Sequence, residues 1–152
     1  MLNKLLSDGN SSRLNVELVE KSQKCVYAGA FTFNLEDPGL TLAFAMANSG
    51  ENPKEIEQLM DIEYEKLKST LISDKELEKL KNQIESDFIN SNSRMDGVAE
   101  SLANYHLFFG DANLINNEIN KYLAVTKEDI MNAAKKYYTK ENRVALYYLP
   151  KK

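Results

Sequence analysis

The spacing of apolar residues changes partway along this chain, and that change limits the folds open to it. "KCVYAGAFTFNL" alternates, with Cys25, Tyr27, Phe31, Phe33 and Leu35 sharing one side. "LTLAFAMA" alternates again, setting Leu40, Leu42, Phe44 and Met46 against Ala43, Ala45 and Ala47. Between them Glu36-Asp37-Pro38-Gly39 is a turn sequence, since proline presets φ and the glycine after it tolerates positive φ. Two such runs across one tight turn predict an antiparallel hairpin.

The period then becomes helical. Ahead of the hairpin, Leu14 and Leu18 already repeat at helical spacing over Ser12 to Glu20, with Ser11 or Ser12 as N-cap. Asn52-Pro53 predicts a helix start with Ile56, Leu59, Met60, Tyr64, Leu67 and Leu71 on one stripe. The acidic residues of this helix, Glu55, Glu57, Asp61, Glu63 and Glu65, are expected on its solvated side. Ser73-Asp74-Lys75-Glu76 reads as a capping box, followed by Leu77, Leu80, Ile84 and Phe88. Further helices are expected from about Met95 to Phe109 with Gly110 as stop, over Leu114 to Leu123, and from Thr126 with Ile130, Ala133, Ala134 and Tyr137 inward. "RVALYYLP", Arg143 to Pro150, is expected to close the chain as a strand. A hairpin, a helical block and a distant last strand predict an α+β fold, with helices packed on one face of an antiparallel or mixed sheet.

A chain of 152 residues, 43% hydrophobic and 28% charged, is consistent with one globular domain spanning 1–152. No apolar run approaches the roughly 20 residues of a membrane-spanning helix. The net charge of −4 and the lack of a clustered basic face speak against nucleic acid as a partner. Cys25 is the only cysteine, so no disulfide forms within the chain, and its strand-like surroundings predict a buried small hydrophobe.

Catalytic chemistry is not visible in the residues. The single histidine, His106, excludes the two-histidine zinc motifs H-E-x-x-H and H-x-x-E-H within this chain. It shares a helix side with Leu102 and Phe109 and is expected half-buried. No serine sits in a G-x-S-x-G elbow, and "DGNSS" lacks the layout of a phosphate loop.

A resemblance adds what residue chemistry does not. Gly9, Ser11, Ser12, Arg13 and Leu14, then Glu17, Leu18, Glu20 and Lys21, then Gly29, Ala30 and Phe31 resemble the second half of a peptidase domain of the insulinase/pitrilysin family, zinc metallopeptidases with an inverted H-x-x-E-H motif. "ENPKEIEQLMDIEYEKL" is similar to the family's segment after the hairpin. Ser73, Glu76, Leu77 and Lys81 resemble a further family helix, and Val125, Thr126, Asp129, Ile130, Ala134 and Tyr138 a third segment. Leu149-Pro150 resembles the family's closing strand. The resemblance implies a metallohydrolase-like two-layer sandwich of the processing-peptidase type. It also implies that zinc belongs to a partner domain or chain, with no cofactor held here.

Two such units enclose peptide substrate in these enzymes, and the unit without zinc commonly supplies an arginine and a tyrosine that polarise the scissile carbonyl. Carried over in the register set by Glu20-Lys21 and Gly29-Ala30, those positions fall on Val19 and Val26, seven apart. Valine neither donates a hydrogen bond nor carries charge. Tyr27 lies one position on, and strand alternation would point it to the other face. The resemblance therefore implies no catalytic residue here. It implies an inactive unit whose partner is a catalytic peptidase unit, on the same polypeptide or a separate chain, or a second copy. The alternatives are a part of an active peptidase whose zinc motif lies upstream, and a structural assembly module. "MLNKLLSDG" begins inside what should be the helix before the loop, so the resemblance also implies an N-terminal truncation.

Overall fold

The hairpin carries small side chains on one face and large ones on the other, and the helices take the small face. The computed structural model describes residues 1–33, 35 and 39–149. Glu36, Asp37 and Pro38 of the expected turn, and the closing Pro150, lie outside the described residues. β1 (Cys25–Phe33) and β2 (Leu40–Ala47) pair antiparallel, with Gly29 opposite Phe44 and Phe31 opposite Leu42. Ala28 is buried and Ala30 and Ala45 pack against the core, beneath α1 (Leu2–Ser7). Ser7 Oγ donates to the carbonyl of Ala30 at 2.7 Å, and Leu5 and Leu6 enter the core. Small side chains permit this close approach of helix to sheet, while Tyr27, Phe31, Phe33, Leu40, Leu42, Phe44 and Met46 stay open on the far side.

The alternation also breaks once. The ladder pairs Cys25 with Ala47 and Tyr27 with Met46, which leaves Val26 as an unpaired bulge residue. One extra residue shifts the facing of everything before it, so Cys25 is buried although Tyr27, on the same side by simple counting, is exposed.

The segment before the hairpin is helical but wider than an α-helix. Over Asn15–Lys21 it forms a π-helix, and the N–H of Ser22 reaches back five residues to the carbonyl of Glu17 at 3.1 Å. Leu14 and Leu18 are fully buried there, as their spacing predicts. The expected serine cap does not form. No side chain caps this helix; Ser12 contributes only its backbone carbonyl, to Val16 N–H, and Ser11 Oγ is taken by Lys79.

α2 (Pro53–Ser69) begins as predicted, with Asn52 accepting from Lys54 N–H and proline in the first turn. Ile56 and Leu67 are buried; Leu71 lies past the helix end and is exposed, and Ile72 takes the core position instead. Glu63, expected on the solvated side, is 4% exposed on the core-facing stripe and bonds to Lys66. α3 (Asp74–Ser91) carries the capping box and buries Leu80 and Ile84. α4 (Met95–Phe109) ends at Gly110, whose φ of +72° is the left-handed stop a glycine supplies without strain. No residue of α4 is buried, and His106 is exposed rather than half-buried, because α4 leans on the 3-10 turn Ala112–Asn116 instead of entering the core. The expected Leu114–Leu123 helix is thus two pieces, that turn and α5 (Glu118–Leu123). α6 (Lys127–Tyr137) buries Ile130 and Ala134. It turns Tyr138 inward rather than Tyr137, with the Tyr138 hydroxyl donating to Asn3 Oδ1 at 2.6 Å and its ring 5.2 Å from that of Tyr64. Burial pushes the Tyr64 phenol up to about 12 and raises Tyr138 further.

The last predicted strand is absent: residues 143–149 pair with neither β1 nor β2. Arg143 instead binds Glu57 at 2.9 Å and Asp61 on α2, and Tyr147 donates to Glu57, which holds the segment against a helix and away from the sheet. The result is an α+β unit: helices on one face of a two-stranded antiparallel sheet, with Leu6, Leu14, Leu18, Leu67 and Leu80 at the buried centre.

Candidate functional site

The residues singled out in the sequence lie between Gly9 and Phe31, where loop, π-helix and bulged strand meet α3. Arg13 aims its guanidinium at the α3 capping box. Its Nε and Nη2 both donate to Glu76 Oε1 at 2.9 Å, while Glu76 Oε2 accepts the N–H and hydroxyl of Ser73 at 3.0 Å. Burial alone would raise the Glu76 carboxyl; the Ser73 N–H and the Arg13 charge outweigh it and hold the group below its ordinary value. Lys79, one turn along α3, donates to Ser11 Oγ at 2.7 Å. The loop is thereby tied to α3 at two points, and Leu14 and Leu18 are positioned in the core behind it.

The rest of the segment is likewise held by neighbours. Glu17 pairs with Lys21 at 3.1 Å, and Glu20 accepts from Asn15 at 3.4 Å. Gly29 is buried beneath aromatic rings: a Cβ there would stand 3.0 Å from Phe44 and 3.1 Å from Tyr27. Ser12 is 2% exposed, and its hydroxyl has no hydrogen-bond partner. Val19 packs against the core from the π-helix, while Val26 is 63% exposed at the bulge. The bulge leaves Val26 out of the ladder, and both Val26 and Tyr27 are open to solvent. Sequence counting missed this because a bulge has no signature in "KCVYAG" beyond a nearby glycine.

The donor set does not suit a zinc ion. Among the described residues no group of three or more His, Cys, Asp or Glu side chains is placed to hold a metal, and His106 stands alone on α4. Cys25 is buried and its thiol is pushed up by burial, with Glu51 adding to the shift, the reverse of what a metal ligand or nucleophile needs. No helix of the described residues is long and apolar enough to cross a membrane.

Helices on one face of a two-stranded antiparallel sheet, with the loop tied to α3 by Arg13 and Lys79, define an α+β domain class. The match to known families agrees with it: the profile of the peptidase M16 inactive domain covers residues 1–84, and the chain belongs to that family. The chain is 28% identical over 149 residues to the zinc protease PqqE of Helicobacter pylori, across 98% of this chain and 33% of that protein. It superposes on the crystal structure of a protease from Helicobacter pylori with a TM-score of 0.82 and 29% identity, over 91% of this chain and 33% of that one. The inactive peptidase domain of a candidate zinc protease from Bordetella parapertussis shares the fold, with a TM-score of 0.85 at 24% identity, over 98% of this chain and 79% of that one. The chain thus spans a third of the length of the Helicobacter relatives.

Proposed function

We propose that this chain is the non-catalytic unit of a zinc-dependent metalloendopeptidase. It docks on a unit that carries the zinc and forms part of the wall that encloses the peptide substrate. The observation that carries this reading is the match to an inactive peptidase domain in a chain with a single histidine. Val19 and Val26 stand, in this reading, where an active unit places its carbonyl-polarising arginine and tyrosine, so the wall contributes shape and contact but no charge at the scissile bond. The Arg13–Glu76 tie then serves to hold that wall rigid. Zinc is supplied by the docked unit. A second arrangement is favoured by the share of the Helicobacter protein matched: the same unit as one stretch of a longer, single-chain peptidase.

Elemental analysis of the purified chain, with a peptide-library cleavage assay, tests the proposal. The expected result is no stoichiometric zinc and no cleavage by the chain alone. Stoichiometric zinc would sink the reading. Affinity capture discriminates the partner: a zinc peptidase unit is expected, and a large assembly without one would mark an assembly module instead.

A further inference from the structure

Between α3 and α6 the chain runs through α4, the 3-10 turn and α5 without placing one side chain in the core. The buried cluster draws on α1, the π-helix, the hairpin, α2, α3 and α6; no residue of 95–123 belongs to it or is itself buried. These residues pack mainly on one another. α4 lies on the 3-10 turn and the Tyr105 ring is 6.4 Å from that of Phe109. Burial and the Glu118 carboxylate from α5 raise the Tyr105 phenol, so the segment has a small interior of its own. Outside itself, its main support is α5 resting on α3. Among the described residues its side chains form no hydrogen bond or ion pair with the rest of the molecule, except Asp96 with Arg94 at 3.3 Å, at the boundary. The junction with α3 is close. A Cβ on Gly97 would run into the backbone carbonyl of Ser91, so the first turn of α4 sits directly on the last turn of α3, which glycine alone permits. At the far end Val125 packs on the core and Thr126 caps α6.

We propose that residues 95–123 are a hinged arm that swings off α3 as one unit, pivoting at Asn92–Arg94 and at Ala124, while the core stays closed. The balance of contacts decides this. Opening gives up the rest of α5 on α3 but uncovers no side chain of the arm that is now buried. Met95, Leu107, Phe108 and Phe109 are already 54–92% exposed with the arm in place, so moving it costs little further apolar surface. Both pivots are built to move. Asn92, Ser93 and Arg94 lie between the two helices, no side chain caps the start of α4, and Ala124 is exposed just past the end of α5. Hinges fall at such element ends, where a few backbone dihedrals absorb the rotation. The arm keeps its own shape through the Tyr105 cluster, so α4 and α5 travel together. This inference stands apart from the peptidase reading, which zinc content tests separately.

Native-state hydrogen exchange, followed residue by residue in the full chain, tests it. The helical amides of α4 and α5 are expected to share one level of protection, at least about 100-fold below that of Leu67 in α2 and Ala134 in α6. Gly97→Ala is the diagnostic change. Alanine for glycine ordinarily stabilises a helix and slows its exchange. Here the added methyl meets the Ser91 carbonyl and pushes the arm away from α3. Exchange should therefore speed up about 10-fold through α4 and α5 alike, with Leu67 and Ala134 unchanged. Wild-type protection of the arm within that 100-fold of the core overturns the inference. So does Gly97→Ala if it leaves the arm's exchange unchanged or slower, or if α4 and α5 respond separately. A variant in which Leu67 and Ala134 lose protection along with the arm overturns it too, because the arm then opens only with the core.

Discussion

Replacing Glu76 by alanine removes several contacts at once, and the structure indicates how the loss divides. One carboxylate oxygen closes the α3 capping box through Ser73; losing a cap costs roughly 0.5–2 kcal/mol. The other takes both Arg13 donors, in a pair whose side chains are 19% and 33% exposed. Such partial exposure places the pair above the few tenths of a surface salt bridge but well below a buried one, at about 1–1.5 kcal/mol. Glu76→Ala should therefore lose about 2–3 kcal/mol, a fall in Tm of roughly 5–10 °C for a chain of this length. Arg13→Ala should lose about 1–1.5 kcal/mol plus the packing of its stem. The decisive quantity is the double-mutant cycle read by urea denaturation, where the two changes should couple by about 1 kcal/mol. Additivity within about 0.3 kcal/mol would refute the claim that Arg13 acts through the capping box.

Ser12→Ala should be neutral or stabilising by up to about 1 kcal/mol, because it deletes a buried hydroxyl without a partner; a loss of about 1 kcal/mol in thermal melts would restore the serine-cap reading. Leu18→Ala, which empties a fully buried site between π-helix and sheet, should cost about 3–4 kcal/mol by chemical denaturation. Acid should weaken the fold in a defined window. Glu76, Asp74 and Asp129 are all held below their ordinary values, by Ser73 and Arg13, by Lys127 and by Thr126 respectively. A depressed carboxyl stabilises above its unfolded pKa and loses that contribution as pH falls through the folded one. Tm should be level from about pH 7 to 5 and fall below about pH 4.5, with Glu76→Gln flattening part of the slope. The Cys25 thiol should react with a disulfide reagent only at the rate of opening, and fast labelling of native protein would contradict its burial.

Several local signals were legible where neighbours in sequence are also neighbours in space. The box at Ser73, the helix starts at Asn52-Pro53 and Thr126 and the Gly110 stop formed as read, since each is settled within one helical turn. Leu14 and Leu18 reached the core as their spacing implied. The errors share a different cause. Tyr137 and Tyr138 are adjacent, and which one turns inward depends on Asn3 and Tyr64 from distant parts of the chain. His106 is exposed because α4 as a whole stays out of the core, a decision no residue of α4 makes alone.

The order of periods in the chain was enough to establish a hairpin followed by helices, and the single histidine excludes a two-histidine zinc motif within it. Spacing and residue type are one-dimensional quantities; the residues from Gly9 to Phe31 added a family resemblance. Contacts across the fold were needed for the rest. They made the alanine face of the hairpin the inner one, because α1 requires a close approach. They left Val26 unpaired and Tyr27 exposed at a bulge. They also held Arg143 to Glu57 and Asp61 on α2, so a segment that reads as a strand lies along a helix. Side-chain alternation shows which residues share a face, but the free energy that selects the buried face belongs to whatever packs against it.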